Sequence, residues 1–366
     1  MSDGAGLEVP ESAAPFEWRS GPPEAQAFSG AALDALVERL AAQGTEAFLV
    51  VRRDQIVREW YGPGWSAGRP HYSASLAKAL VGGMALTVTL GDRHLGADDR
   101  AADFVPAWAD DPQRSAITIR QLATHCSGIS DAEHDVDPDD PQRGWMAAFW
   151  QRDPDPFTVA RDRAPLLFPP GTAYQYSNPG MAMLGYGITA ARRGQAQPDI
   201  RTLLAERVYR PIGLGESEWS IGYRTPYLVD GLTLWATWGG GGFTARAVAR
   251  LARLMLRRGH WQGQQLLDPQ QVAAALTHAG TPVPDRTAHR HAPASGLCWY
   301  TNEDGVWPAV PRDAFAGAGA GHQVLVAVPS LDLIVVRLGQ RMGEGSEAGY
   351  WAVAYERLIE PVLQLL

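Results

Sequence analysis

From Leu76 to Leu90 the chain carries one charged side chain, Lys78, and beyond it only Thr87 and Thr89 are polar. A helix built from this run has apolar residues at every angle around its axis and no face for water. It is therefore expected to be enclosed on all sides, which requires a fold of several layers. A chain of 366 residues, 45% of them hydrophobic, is long enough to supply those layers as one large domain or two. The interruption at Lys78 leaves the run short of the roughly 18 residues needed to cross a bilayer, so no membrane partner is expected.

Lys78 is also the only lysine among 32 basic residues. Arginine stays protonated in proteins, whereas a lysine in apolar surroundings can lose its proton and serve as a base. Ser75 lies three residues earlier, which puts the two on one helical face about a turn apart. A serine hydroxyl is a poor nucleophile without an adjacent base, and desolvation lowers a lysine pKa toward that role. The start of the helix also offers the Ser75 N–H to a developing oxyanion. A surface helix with a snorkelling lysine is the plain alternative, and the apolar surroundings of this lysine weigh against it.

A second polar group follows Pro170-Gly171, in Thr172-Ala173-Tyr174-Gln175-Tyr176-Ser177-Asn178. One tight loop can present the Tyr176 phenol and the Asn178 amide to a cleft. A neighbouring cation favours the phenolate, so Tyr176 and Lys78 are expected to share a proton as a coupled pair.

Helix and strand signals divide the chain. Residues 1–28 lack periodicity and read as an irregular arm. Ser29 opens a helix with Leu33, Leu36, Val37 and Leu40 on one face, and two apolar runs split by Arg53-Asp54 suggest a hairpin. Residues 98–231 read as a mainly helical domain. Strands return at Gly296–Asn302, Gln323–Val328 and Leu331–Leu338, and an amphipathic helix over Glu347–Leu366 closes the chain. The pattern predicts an α/β (α+β) fold: an antiparallel sheet built from both termini, 29–97 and 232–366, flanked by helices, with the helical domain inserted and the site between them.

Other function classes find little support. The formal charge is −8 and there is no basic run, so no nucleic-acid partner is expected. Asp131–Asp140 holds six acidic residues among ten but lacks the glycine and terminal glutamate of a calcium loop, and no metal is expected. The small-residue run Ala316–Gly321 leads into a strand and not a helix, so a dinucleotide-binding reading of it fails. Cys126 and Cys298 are far apart, and the first residues show no basic stretch leading into an apolar one, so a cytoplasmic location is expected.

Taken in order, Ser75-x-x-Lys78 and Tyr176-Ser177-Asn178 make the chain resemble the serine β-lactamase-related superfamily, on its class C, carboxylesterase, D-aminopeptidase and nylon-oligomer hydrolase side. The segments Ile117–Ile129, Gly239–Phe243 and Val328–Val336 also resemble that superfamily's landmarks, so the likeness spans roughly residues 30 to 366. It implies Ser75 as nucleophile, Lys78 as base, Tyr176 as proton shuttle and Asn178 as the group orienting lysine and substrate. It implies an ester or amide substrate cleaved through an acyl-enzyme, without a cofactor. The chain departs from the resemblance at the third motif, usually Lys-Thr-Gly or His-x-Gly, where it has Ala316-Gly317-Ala318-Gly319-Ala320-Gly321-His322. Backbone there still serves, with Gly319 or Ala320 expected to give the second oxyanion N–H. Without a charged side chain on that strand, an esterase or amidase acting on neutral substrates is expected. The alternatives are a β-lactamase or D-amino-acid peptidase using an arginine, with Arg341 nearest in sequence, and a catalytically silent scaffold.

Overall fold

The computed structural model describes residues 16–134, 136–343 and 349–366. Its centre is one sheet of β1 (Arg19–Ser20), β2 (Thr45–Arg52), β3 (Gln55–Tyr61), β4 (Ala294–Ser295), β5 (Tyr300–Thr301), β6 (Phe315–Gly319), β7 (Gln323–Val328) and β8 (Leu333–Gly339). The spatial order is β1-β3-β2-β8-β7-β6-β5-β4. Every neighbouring pair is antiparallel except β1–β3. The seam between the two ends of the chain is β2–β8, with Val51 opposite Ile334 and Leu49 opposite Val336. Both strands are buried along nearly their whole length, which is why they read as near-continuous Val/Leu/Ile runs. Helices cover both faces of this sheet, the mixed α/β arrangement expected from the sequence.

On one face lies α1 (Gly30–Ala41), capped by Ser29 accepting from the Ala32 N–H, with Leu33, Leu36, Val37 and Leu40 all buried. Each such side chain contributes about 1.5–3 kcal/mol when fully buried. The C-terminal helical segment, Gly349–Ala354 continuing through Tyr355–Ile359 to Glu360–Leu363, packs into the same cluster. Glu347, where the sequence starts this helix, lies outside the described residues.

The other face carries the apolar segment. It begins as a 3₁₀ turn, Ala74–Leu76, widens to a π-helix over Lys78–Gly83 and ends as a regular α-helix over Met84–Gly91. Counted together, Ala74–Gly91 is 18 residues, long and apolar enough by length and composition to cross a bilayer, contrary to the expectation from the shorter run. In this fold it is 89% buried inside the protein, the core helix that its missing polar face called for. Ala245–Leu256 packs beside it against the sheet.

Three local expectations change. The arm is not irregular up to residue 28: β1 extends the sheet, Pro23–Gln26 makes a 3₁₀ turn, and Phe28 enters the core. Too few residues are involved for a periodic signal. Of the strand expected at Gly296–Asn302 only Tyr300–Thr301 joins the sheet, because Cys298 has φ +65° and breaks the extension; a second short strand, Ala294–Ser295, precedes it. Asp332, at φ +48°, likewise delays β8 to Leu333.

Candidate active site

Ser75 sits on the 3₁₀ turn that starts the buried segment, directly after Ala74 in the left-handed region at φ +47°. The turn is held from outside. His71–Tyr72 pairs with Gly242–Phe243, which in turn pairs with Trp219–Ser220, and the Ser73 hydroxyl donates to the Gly240 carbonyl at 2.6 Å. Gly240 and Gly241 both have positive φ, and a Cβ on either would fall 2.4 Å from a backbone oxygen. That is the physical reason for the glycine run: it lets three backbone segments meet behind the nucleophile's turn.

The Tyr-Ser-Asn element is fixed by a helix cap. Ser177 caps Asn178–Ala191, its hydroxyl accepting the Gly180 N–H at 2.8 Å, so Asn178 occupies the first helical position. His125, at φ +61°, braces the loop from below. Its Nδ1 accepts the Ser177 N–H at 3.2 Å, its carbonyl accepts the Gln175 N–H, and its ring lies 4.6 Å from that of Tyr176. Burial pulls its pKa down to about 3, with the charge of Lys78 adding to the effect, so the ring is neutral and structural.

These elements bring Ser75, Lys78, Tyr176 and Asn178 together. Lys78 Nζ lies 3.0 Å from Ser75 Oγ, 2.8 Å from Asn178 Oδ1 and 2.6 Å from the carbonyl of Trp238. The Tyr176 hydroxyl donates to Ser75 Oγ at 2.6 Å. Burial pulls the Lys78 pKa down to about 7, opposed by Asp131. Burial pushes the Tyr176 phenol well above its ordinary value, and the nearby Tyr300 adds to this. The expected proton sharing is thereby corrected: desolvation disfavours both charged forms and leaves a phenol beside a lysine close to neutrality.

Hydrogen-bond capacity then orients the amine. The Asn178 Oδ1 and the Trp238 carbonyl can only accept, so a neutral Lys78 spends both its N–H bonds on them. Its lone pair is left facing Ser75 Oγ. The orientation of the Asn178 amide is fixed by Asp131, whose Oδ1 accepts both the backbone N–H (2.7 Å) and the Nδ2–H (3.0 Å) of Asn178. Burial raises the Asp131 pKa, against the pull of the Asn178 N–H and Lys78. In the sequence Asp131 is only the first member of the acidic stretch Asp131–Asp140. Its one distinguishing signal is position, two residues after the Ile117–Ile129 landmark.

Gly319 ends β6 against the nucleophile's turn: a Cβ on it would lie 2.5 Å from the Ser73 carbonyl and 3.0 Å from Ser75 N. Ala320 follows in the exposed turn. Both line a cleft of about 470 Å³ together with Ser75, Asp131, Tyr176 and Asn178. Tyr174, Tyr300, Tyr350 and Trp351 form its aromatic wall, and His134, His289 and Arg290 stand at its rim. Arg341 is exposed and is not among the lining residues; the arginine on the cleft is Arg290, paired with Glu356. Trp238 is buried against Phe149 and Phe157 and offers the site its carbonyl. His322 stacks on Tyr350 at 4.5 Å. Among the described residues, no group of three or more His, Cys, Asp or Glu side chains is placed to hold a metal ion.

Comparisons with known proteins bear on the family and the fold. The family model described as Beta-lactamase matches residues 33–357. A D-aminopeptidase of Cereibacter sphaeroides (strain KD131) is 31% identical over 211 residues, 53% of this chain and 36% of that protein. The match thus spans about a third of that relative's length. Among solved structures, a family VIII carboxylesterase superposes with a TM-score of 0.68 at 18% identity, covering 96% of this chain and 99% of its own. A penicillin-binding protein homologue from Caulobacter crescentus superposes with a TM-score of 0.67 at 20% identity, over 95% and 99% of the two chains. At these identities the superpositions speak for the fold.

Proposed function

Since the chain belongs to the beta-lactamase family, we propose that it is a serine hydrolase that cleaves an ester or amide through an acyl-enzyme. The observation that carries this reading is the placement of Lys78 Nζ, 3.0 Å from Ser75 Oγ and held by Asn178 Oδ1 and the Trp238 carbonyl. In the first step Ser75 Oγ bonds to the substrate carbonyl carbon and its proton passes to Lys78 Nζ. The oxyanion rests between the N–H groups of Ser75 and of Gly319 or Ala320. Collapse of the adduct breaks the bond to the leaving group, which takes a proton from the Tyr176 hydroxyl, resupplied from Lys78. Water then repeats the sequence on the acyl carbonyl, giving its proton to Lys78 and releasing the acid and Ser75.

We place the substrate among neutral esters and amides. β6 presents only glycine, alanine and backbone to the cleft, and Arg290 is already paired with Glu356. A substrate carboxylate against β6 would be desolvated without a charged partner, at a cost of several kcal/mol. The structural neighbour named carboxylesterase is of this kind, whereas the relative named D-aminopeptidase belongs with the peptidase alternative. The test compares kcat/KM for p-nitrophenyl acetate and butyrate with that for nitrocefin. The esters are expected to be favoured by at least about 10²-fold, the equivalent of ~2.7 kcal/mol. Nitrocefin turnover equal to or better than the esters overturns the substrate assignment.

A further inference from the structure

Four consecutive carbonyls at the end of β6 are each held by a side chain that takes no part in proton transfer. The Tyr350 hydroxyl donates to the Gly319 carbonyl at 3.0 Å, and Gln323 Nε2 donates to that of Ala320 at 3.2 Å. Arg337 Nη1 donates to the carbonyls of Gly321 (2.6 Å) and His322 (2.9 Å). Arg337 is fully buried, and no carboxylate among the described residues pairs with it. Its other contacts are the Thr45 hydroxyl and the Gln43 carbonyl. A buried guanidinium that spends its donors on backbone oxygens is costly by itself, so its yield is the fixed geometry of the turn it grips.

Tyr350 has the most consequential position of the three. The carbonyl of Gly319 and the N–H of Ala320 belong to one planar trans peptide and point in opposite directions. A bond that fixes the carbonyl fixes the N–H as well. The tyrosine is itself seated, its ring parallel to that of His322 within 15° at 4.5 Å, while His322 Nδ1 accepts the Met342 N–H at 3.0 Å. Gly319 lies against the Ser75 turn, so this peptide is the one at the nucleophile.

We propose that Tyr350 is a positioning residue, whose hydroxyl sets the plane of the Gly319–Ala320 peptide and so aims the Ala320 N–H at the oxyanion. The proposal rests on the serine-hydrolase reading and selects Ala320 over Gly319 as the second donor.

The test is Tyr350→Phe, which removes one hydroxyl and keeps the ring on His322. Deleting an oxyanion donor outright costs roughly 10²–10³ in kcat, and a donor left present but loosely aimed is expected to cost about ten-fold. The kcat for p-nitrophenyl butyrate and the affinity for phenylboronic acid, which forms a tetrahedral adduct on an active serine, are expected to fall together. KM and the midpoint of the pH–rate profile are expected to stay within two-fold and in place, respectively, as a packing role would not produce. Unchanged kcat and boronate affinity overturn the proposal, and so does a loss confined to KM. Ser75→Ala separates the two failures: if that variant still hydrolyses the ester, the serine-hydrolase reading falls irrespective of Tyr350.

Discussion

The roles proposed for Lys78 and Ser75 rest on the surroundings of the two side chains. The amine is buried, its N–H bonds are committed to Asn178 Oδ1 and the Trp238 carbonyl, and its pKa lies at about 7. Because the neutral amine is the base, kcat/KM is expected to rise with pH through about 7. Asp131 sets how far. Its negative charge favours protonated Lys78, so Asp131→Asn is expected to lower the lysine pKa and move the acid limb to lower pH. The carboxamide oxygen still accepts from Asn178, and with ~1 kcal/mol at stake per hydrogen bond the plateau rate is expected to stay within about ten-fold. A pH–rate profile of the variant checks this; a limb that stays put or moves to higher pH contradicts the role given to Asp131. Ser75, Lys78, Tyr176 and Asn178 were legible because each is a chemically apt residue at a telling spacing. Asp131 was not, because it acts through Asn178 and sits at the head of an acidic stretch that reads as solvated loop. The phenolate expectation for Tyr176 failed for a related reason: sequence shows the charged neighbour but not the desolvation that outweighs it.

At the scale of elements, the site is made by close backbone approach, and glycines mark where it happens. β6 passes so near the nucleophile's turn that a Cβ on Gly319 would overlap the Ser73 carbonyl at 2.5 Å and Leu76 N at 2.8 Å. Gly319→Ala is expected to push the strand away by a fraction of an ångström to an ångström. A displacement of that size at a reacting centre costs up to about 10²-fold in rate, with about 1–3 kcal/mol lost from stability through overpacking. Gly68→Ala, with nothing within 4 Å, is the control and is expected to leave rate and melting temperature unchanged. Equal rates for the two variants contradict the close approach as a catalytic requirement. The periodic elements were readable in advance: α1 buries its four predicted side chains. The two-residue strand β1 and the 3₁₀ and π turns around Ser75 were not, since such short pieces are set by tertiary contacts and have no period of their own.

For the molecule as a whole, both ends of the chain meet at the β2–β8 seam, and helices bury the sheet from either side. The enclosed helix demanded by the apolar run then carries Ser75 and Lys78 to the end of β6, while the chain between residues 98 and 231 delivers Asp131, Tyr176 and Asn178. That meeting joins five groups, Ser75, Lys78, Asp131, Tyr176 and Asn178, from three separate stretches of the chain. Labelling with a fluorophosphonate, followed by peptide mass mapping, tests it most directly. One phosphonyl group per chain is expected, on Ser75, absent in Ser75→Ala and formed at least about 10²-fold more slowly in Lys78→Arg, which keeps the charge but holds its proton. Ester hydrolysis that persists with Ser75 unlabelled, or a Lys78→Arg variant that labels at the parent rate, contradicts it.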